Sequence, residues 1–215
     1  MSTAVIFDMD GTLFDTEAVF QKHWNAIAKE RGIVLPNAFK YEICGTSGEV
    51  MNRIIEKQYR VKDGTEIQRE CKRRVAEELS RGVPLKPGCR EILASLHARG
   101  IPMAIGSSGR RAQIESNLSV SGFTSYFSAI ASRDEVLHGK PAPDIFLLAA
   151  KRLGVPPADC CVFEDSPNGI RAAHAAGMKP ILIPDLMPVT EEIASLTVGV
   201  YKVLTDALEE LVAGD

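Results

Sequence analysis

The sequence predicts an α/β protein, with a parallel-sheet core interrupted after its first strand by a small block of helices. Three observations predict this class. The chain opens on an apolar run, Ala4 to Phe7, stopped by Asp8, Met9, Asp10 and Gly11, the pattern of a short buried strand ending in a turn. From Asp15 to about Arg81 the spacing is helical and no strand signal appears. From Leu85 onward short apolar runs alternate with helical segments, and that alternation implies a parallel sheet. A length of 215 residues suffices for such a core with a small insert. The expected division is 1–15 with 85–215 as the core and 16–84 as the helical insert.

Each element has its own warrant. Phe20, Trp24, Ile27 and Ala28 fall at helical spacing, and Arg31-Gly32 is a plausible stop. Val50, Ile54 and Ile55 suggest a second helix, preceded by the loop Gly45 to Gly48. Ile67, Cys71, Val75 and Leu79 form one apolar side of a charged helix from Glu66 to Leu79. Later strands are expected at Pro102–Ile105, Ala129–Ala131, Cys160–Phe163 and Pro180–Ile183. Helices are expected at Arg90–Arg99, Arg110–Val120, Asp144–Leu153 and Ile170–Ala176, each followed by a glycine suited to a C-cap. A helical block inserted after the first strand would cover that strand's carboxyl end, where ligands bind in open parallel sheets.

Composition narrows the function classes. The net charge is −3 and basic residues are dispersed, which argues against a nucleic-acid surface. The run Lys72-Arg73-Arg74 is interleaved with glutamates and reads as a solvated helix face. Five cysteines, Cys44, Cys71, Cys89, Cys160 and Cys161, include no Cys-x-x-Cys, so buried free thiols are expected rather than disulfides or a zinc site. No apolar run approaches membrane length. A cytoplasmic monomer, with neither nucleic acid nor membrane as partner, is the expectation.

The candidate chemistry lies at strand ends. Asp8 and Asp10 stand close together, so one pKa should rise unless a cation intervenes. A hard divalent ion with oxygen ligands would relieve the repulsion, leaving a carboxylate as nucleophile or proton carrier. An Asp-Gly turn without chemistry is the competing reading. The strand ending at Ile105 runs into Gly106-Ser107-Ser108-Gly109, a small-residue turn that offers backbone N–H groups and a hydroxyl to an anion; Ser as a plain N-cap competes. Lys140 stands between Gly139 and the prolines 141 and 143, which stiffen its backbone. A fixed cation there could hold a phosphate and the charge on a nucleophile. His138 reads as a neighbour rather than a catalyst. A fourth strand ends in Glu164-Asp165, followed by Ser166-Pro167-Asn168-Gly169. Acids at two strand ends make an oxygen cage suited to Mg²⁺.

In chain order, Asp8-Met9-Asp10-Gly11-Thr12, Ser107, Lys140 in Lys-Pro-Ala-Pro, and Glu164-Asp165 with its small residues resemble the four motifs of the haloacid dehalogenase-like hydrolases. The resemblance covers essentially the whole chain. It implies a Rossmann-like core with a helical cap, and phosphoryl transfer through an aspartyl-phosphate. Asp8 would be nucleophile and metal ligand. Asp10 would be general acid, then base, with its backbone carbonyl on Mg²⁺. Ser107, Ser108 and Lys140 would hold the transferring group. Asp165 would bind the metal, and Glu164 less directly or through water. Asp10 sets aside the dehalogenase and phosphonate-cleaving members, which lack an acid there.

The expected substrate is a small phosphorylated metabolite, such as a sugar phosphate or nucleoside monophosphate, selected by Glu17, Gly45 and Ser47 of the cap. The β-phosphoglucomutase branch is close, sharing Asp15-Thr16, but it uses a His, a Lys and an Arg where this chain has Phe20, Cys44 and Gly48. His23 lies nearby but faces another way on a helix. Net hydrolysis is therefore expected, with the mutase as the alternative. A phospho-receiver domain is more remote, because receivers lack a helical insert after strand one. A catalytically silent binding module is disfavoured because all four motifs are intact.

Overall fold

The structure, a computed structural model, describes residues 4–46, 48–208 and 211. The chain divides into two compact units, Met1–Asp15 with Pro84–Asp215, and Thr16–Val83.

The first unit is built on six parallel strands: β1 Ala4–Phe7, β2 Met103–Ser107, β3 Ala129–Ser132, β4 Cys160–Glu164, β5 Lys179–Leu182 and β6 Gly199–Val200. Their order is β3-β2-β1-β4-β5-β6. Every residue of β1, β2 and β4 is buried, as expected for parallel strands covered on both faces. Alternation divides the side chains. Ala4, Ile6, Ala104, Cys160 and Val162 pack with Ile145, Phe146 and Ala149 of α7 (Asp144–Leu153) and with Ala172 and Ala173 of α8 (Pro167–Ala175). Phe7 stacks on Phe163 at 4.9 Å and meets the edge of Phe127 at 6.3 Å. The unit also holds α5 (Cys89–Ala98), α6 (Arg111–Ser121) and α9 (Glu191–Ser195).

The second unit is helical: α1 Thr16–Glu30, α2 Phe39–Ile43, α3 Gly48–Tyr59 and α4 Thr65–Leu79. Its core is the stripe that periodicity picks out, Trp24, Ile27, Ile55, Ile67, Cys71, Val75 and Leu79, with Phe39 and Tyr59. The Tyr59 hydroxyl donates to the Trp24 carbonyl at 2.7 Å, satisfying the polar end of a buried ring.

Several boundaries differ from the sequence expectation. β2 runs on to Ser107, because Gly106 and Ser107 pair with Ala131 and Ser132 of β3. α8 begins at Pro167 rather than Ile170, since Ser166 caps it and proline suits the first helical position. α2, α9 and β6 are too short to show a periodicity. All five cysteines are free thiols, and only Cys44 is not buried. Among the described residues, no helix is long and apolar enough to cross a membrane.

Candidate active site

β1 lies between β2 and β4, so the chain departs from it toward both sides of the sheet. Such a switch point opens a crevice at the carboxyl ends of the strands. Asp8 follows β1, Ser107 closes β2 and Glu164 closes β4. The Asp8 amide donates to the Phe163 carbonyl at 2.9 Å. This extends the β1–β4 ladder by one residue and fixes Asp8 beside the end of β4.

Lys140 comes from the segment between β3 and α7, and its peptide to Pro141 is cis. Its Nζ donates to Asp8 Oδ1 at 2.5 Å and to Glu164 Oε1 at 2.6 Å. The three side chains are 5, 8 and 1 % exposed. Nζ also lies 4.6 Å from the centre of the Phe146 ring, a cation–π contact. Glu164 Oε2 accepts from the Ser166 amide at 2.8 Å and its hydroxyl at 2.9 Å. Both oxygens of Glu164 are thus engaged by protein donors. Ser166 Oγ in turn accepts from the Gly169 amide at 3.0 Å, capping α8. A Cβ at Gly169 would stand inside the Glu164 carboxyl, so this turn requires glycine.

The loop after β1 is pressed onto Asp165. Thr12 Oγ1 donates to Asp165 Oδ1 at 3.1 Å. Gly11 takes a left-handed φ of +88°, and a Cβ there would lie 2.5 Å from Asp165 Oδ2. Asp10 faces the turn after β2: its Oδ2 lies 3.8 Å, and Ser107 Oγ 3.3 Å, from the point a Cβ on Gly109 would occupy. Ser107 Oγ accepts from the Gly109 amide at 3.0 Å, and Ser108 is exposed beside it. Ser107 is not the helix cap; Arg110 holds that position without a side-chain bond.

The electrostatics are unbalanced. Burial pushes the Asp8 carboxyl up to about 7, opposed by Lys140 and reinforced by Glu164 and Asp10. Asp165 is pushed well above the usual carboxylate range, first by desolvation and then by Glu164, Asp8 and Asp185. Burial works against the charge on Lys140, but Asp8 and Glu164 outweigh it and raise its pKa. One ammonium therefore faces Asp8, Glu164 and Asp165. Among the described residues, no three His, Cys, Asp or Glu side chains form a ready metal cage.

The structure thus brings together Asp8, Asp10, Ser107, Lys140, Glu164 and Asp165, with Ser108 at the edge. Glu17 sits in the first turn of α1, and Gly45, at φ +67°, follows α2. Both belong to the helical unit, and Ser47 lies outside the described residues. In that unit His23 Nε2 is 2.9 Å from a Glu78 carboxylate oxygen, and Phe20 packs against the core. A surface cleft walled by Glu30, Arg31, Glu70 and Arg74 also belongs wholly to the helical unit; its Arg74 is paired with Glu30 and Glu70. The sequence reading did not single out the bonds from Thr12 to Asp165 or from Ser166 to Glu164. Gly11 is the visible trace of the first, and Gly169, five residues after Glu164, of the second.

The model of the haloacid dehalogenase-like hydrolase family matches residues 5–183. The chain belongs to that family. It is 38 % identical over 178 residues to the fructose-1-phosphate phosphatase of Escherichia coli, covering 82 % of this chain and 94 % of that protein. It superposes with a TM-score of 0.84 on a haloacid dehalogenase family hydrolase of Deinococcus radiodurans solved with bound phosphate and sodium, at 28 % identity and covering 98 % and 95 % of the two chains. A β-phosphoglucomutase of Clostridium difficile superposes with a TM-score of 0.75 at 25 % identity, over 99 % and 96 %.

Proposed function

We propose that the protein is a Mg²⁺-dependent phosphatase that hydrolyses a small phosphorylated metabolite, a sugar phosphate or similar phosphomonoester, through an aspartyl-phosphate. Hydrolysis of phosphomonoesters accords with the family and with a relative named for fructose 1-phosphate. The observation that carries the reading is Asp8, a buried carboxylate at the switch point held by Lys140 at 2.5 Å.

In the first half-reaction an Asp8 oxygen attacks phosphorus, the ester P–O bond breaks, and Asp10 gives its proton to the leaving oxygen. In the second, Asp10 takes a proton from water as that water attacks phosphorus. Inorganic phosphate leaves and Asp8 is regenerated. Lys140 and the Ser107–Gly109 turn hold the negative oxygens in flight. Glu164 acts through Lys140, which it orients, and is itself locked by Ser166.

The donor set fits Mg²⁺. Desolvation and like charge push up both Asp8 and Asp165, and a dication is the usual remedy for such a pair. Mg²⁺ is commonly bound through one or two carboxylates with several waters rather than by a full protein cage. The Asp8 and Asp165 carboxylates and the Asp10 carbonyl would hold it. When bound, it neutralises charge on the phosphate. The helical unit acts as the cap, with Glu17, Gly45 and Ser47 selecting the substrate. Asp8→Asn is expected to abolish p-nitrophenyl phosphate turnover while leaving the circular dichroism unchanged, and wild-type activity is expected to vanish in chelator and return with Mg²⁺. Normal turnover by the variant, or full activity in metal-free buffer, would overturn the reading.

A further inference from the structure

Lys86 and Asp185 form an ion pair at 2.7 Å, with side chains 14 and 12 % exposed. Nothing in the mechanism above uses them. Lys86 lies where the chain re-enters the core unit: its amide donates to the Leu13 carbonyl at 2.9 Å, and Leu85 bridges Phe14. It is thereby tied to the loop that carries Asp10, Gly11 and Thr12. Asp185 follows β5, which pairs with β4. The Ile183 amide donates to the Glu164 carbonyl at 2.8 Å, which sets this strand end beside Glu164 and Asp165. The pair therefore joins the loop that carries Asp10 to the end of β5, which lies beside the strand end that carries Asp165.

Asp185 uses only half of its carboxylate. Oδ1 takes the Lys86 ammonium, whereas Oδ2 is buried with no protein donor. Buried polar atoms in native proteins nearly always have a partner, in protein or in water. A carboxylate oxygen only accepts, so its partner must be an O–H or N–H. The waters that Mg²⁺ retains are such donors, and ligands held in place by outer carboxylates are a recurrent feature of metal sites. The Asp185 charge is felt at Asp165, which places the two in electrostatic reach.

We propose that Asp185, fixed by Lys86, is a positioning carboxylate whose Oδ2 accepts a hydrogen bond from a water on the cation held by Asp8 and Asp165. This rests on the Mg²⁺ reading of the preceding subsection. A role as a structural staple would make Lys86 and Asp185 equivalent, because losing either breaks the same ion pair. A role toward the cation's water makes them unequal, because only Asp185 supplies the acceptor.

The test is Mg²⁺ titration calorimetry without substrate on the wild type, Asp185→Asn and Lys86→Gln, with folding checked by circular dichroism. Asp185→Asn is expected to bind Mg²⁺ roughly tenfold or more weakly while folded, and Lys86→Gln to lose distinctly less. Asp185→Ser serves if the Asn variant does not fold. A folded Asp185 variant with wild-type affinity, equal losses in the two positions, or failure of both Asp185 variants to fold would assign the pair to structure and overturn the proposal. A wild type that binds no Mg²⁺ would remove the metal reading itself, an outcome distinct from a variant that merely matches it.

Discussion

Lys140 places one buried ammonium between two buried carboxylates. Removing one partner from such a cluster is far more damaging than never having built it, because the remaining charge is left unpaired. Lys140→Met is therefore expected to cost about 3–5 kcal/mol in urea unfolding at neutral pH. The pH dependence has a definite sign. The folded Asp8 pKa is raised to about 7 from an ordinary 3.8, so its contribution to stability is present below the lower value and is lost as pH rises through the upper one. Without Lys140 that pKa rises further, so the variant should lose more stability at pH 8 than at pH 5. Equal losses at both pH values would remove Asp8 as the cause. Gly169 makes a second residue-scale case. Its missing Cβ is the space taken by the Glu164 carboxyl, so Gly169→Ala must displace that carboxyl or the first turn of α8. A loss of about 1–3 kcal/mol, typical of overpacking, is expected in thermal melts, together with reduced turnover as Lys140 loses its guide.

Elements matter here chiefly through their ends. β3 hands over to a short turn, Arg133–Glu135, by a cap in which the Ser132 amide and hydroxyl both donate to Glu135 Oε2, at 3.0 and 2.8 Å. Arg152 at the end of α7 donates to the other Glu135 oxygen at 2.7 Å. Arg152 first, and then Ser132 against a desolvation cost, draw the Glu135 pKa down to about 2 from 4.5. A depressed carboxylate contributes stability above its unfolded pKa and loses it as pH falls through the folded one. Glu135→Gln should therefore lower the melting temperature at pH 7 and converge on the wild type as pH falls from about 4.5 toward 2. A gap that stays constant over that range would show that charge at Glu135 contributes nothing. The turn it braces begins the segment that delivers Lys140, which makes an element boundary part of the site's geometry.

At the scale of the whole molecule, the proposed hydrolase and its mutase alternative part in the inserted helical unit. Where the resemblance to the β-phosphoglucomutase branch implies a His, a Lys and an Arg, this chain has Phe20, Cys44 and Gly48. Phe20 packs against the core of the helical unit, and His23 Nε2 sits 2.9 Å from Glu78. The unit thus lacks a basic clamp for a second phosphate at those positions. Incubation with Mg²⁺, β-glucose 1-phosphate and a trace of the bisphosphate should yield no accumulating glucose 6-phosphate, and a panel of phosphorylated metabolites should yield free phosphate. Glucose 6-phosphate accumulating with little free phosphate from any member would reverse the assignment. The likeness to a β-phosphoglucomutase structure makes this experiment necessary, since one fold hosts several chemistries.

The sequence by itself determined the class of the fold and which acids and which serine stand at its strand ends. Both are local signals: an apolar run stopped by acids at Asp8, by serine at Ser107 and by Glu164-Asp165 can be read within ten residues, and alternation of strand with helix dictates a parallel sheet. Helical spacing likewise marks Trp24, Ile27, Ile67 and Val75, all of which pack in the core of the helical unit. Tertiary structure alone decided how the acids share their partners. Glu164 is expected from its type and place to reach the metal less directly than Asp165 or through water; the tertiary structure sets its Oε1 on Lys140 and its Oε2 on Ser166. Lys86 and Asp185 meet across 99 residues with no periodicity to announce them, and β6 is two residues long. Local pattern encodes which face of an element is buried. Which oxygen meets which donor depends on strand order and on where loops return, and those are settled only when the whole sheet is assembled.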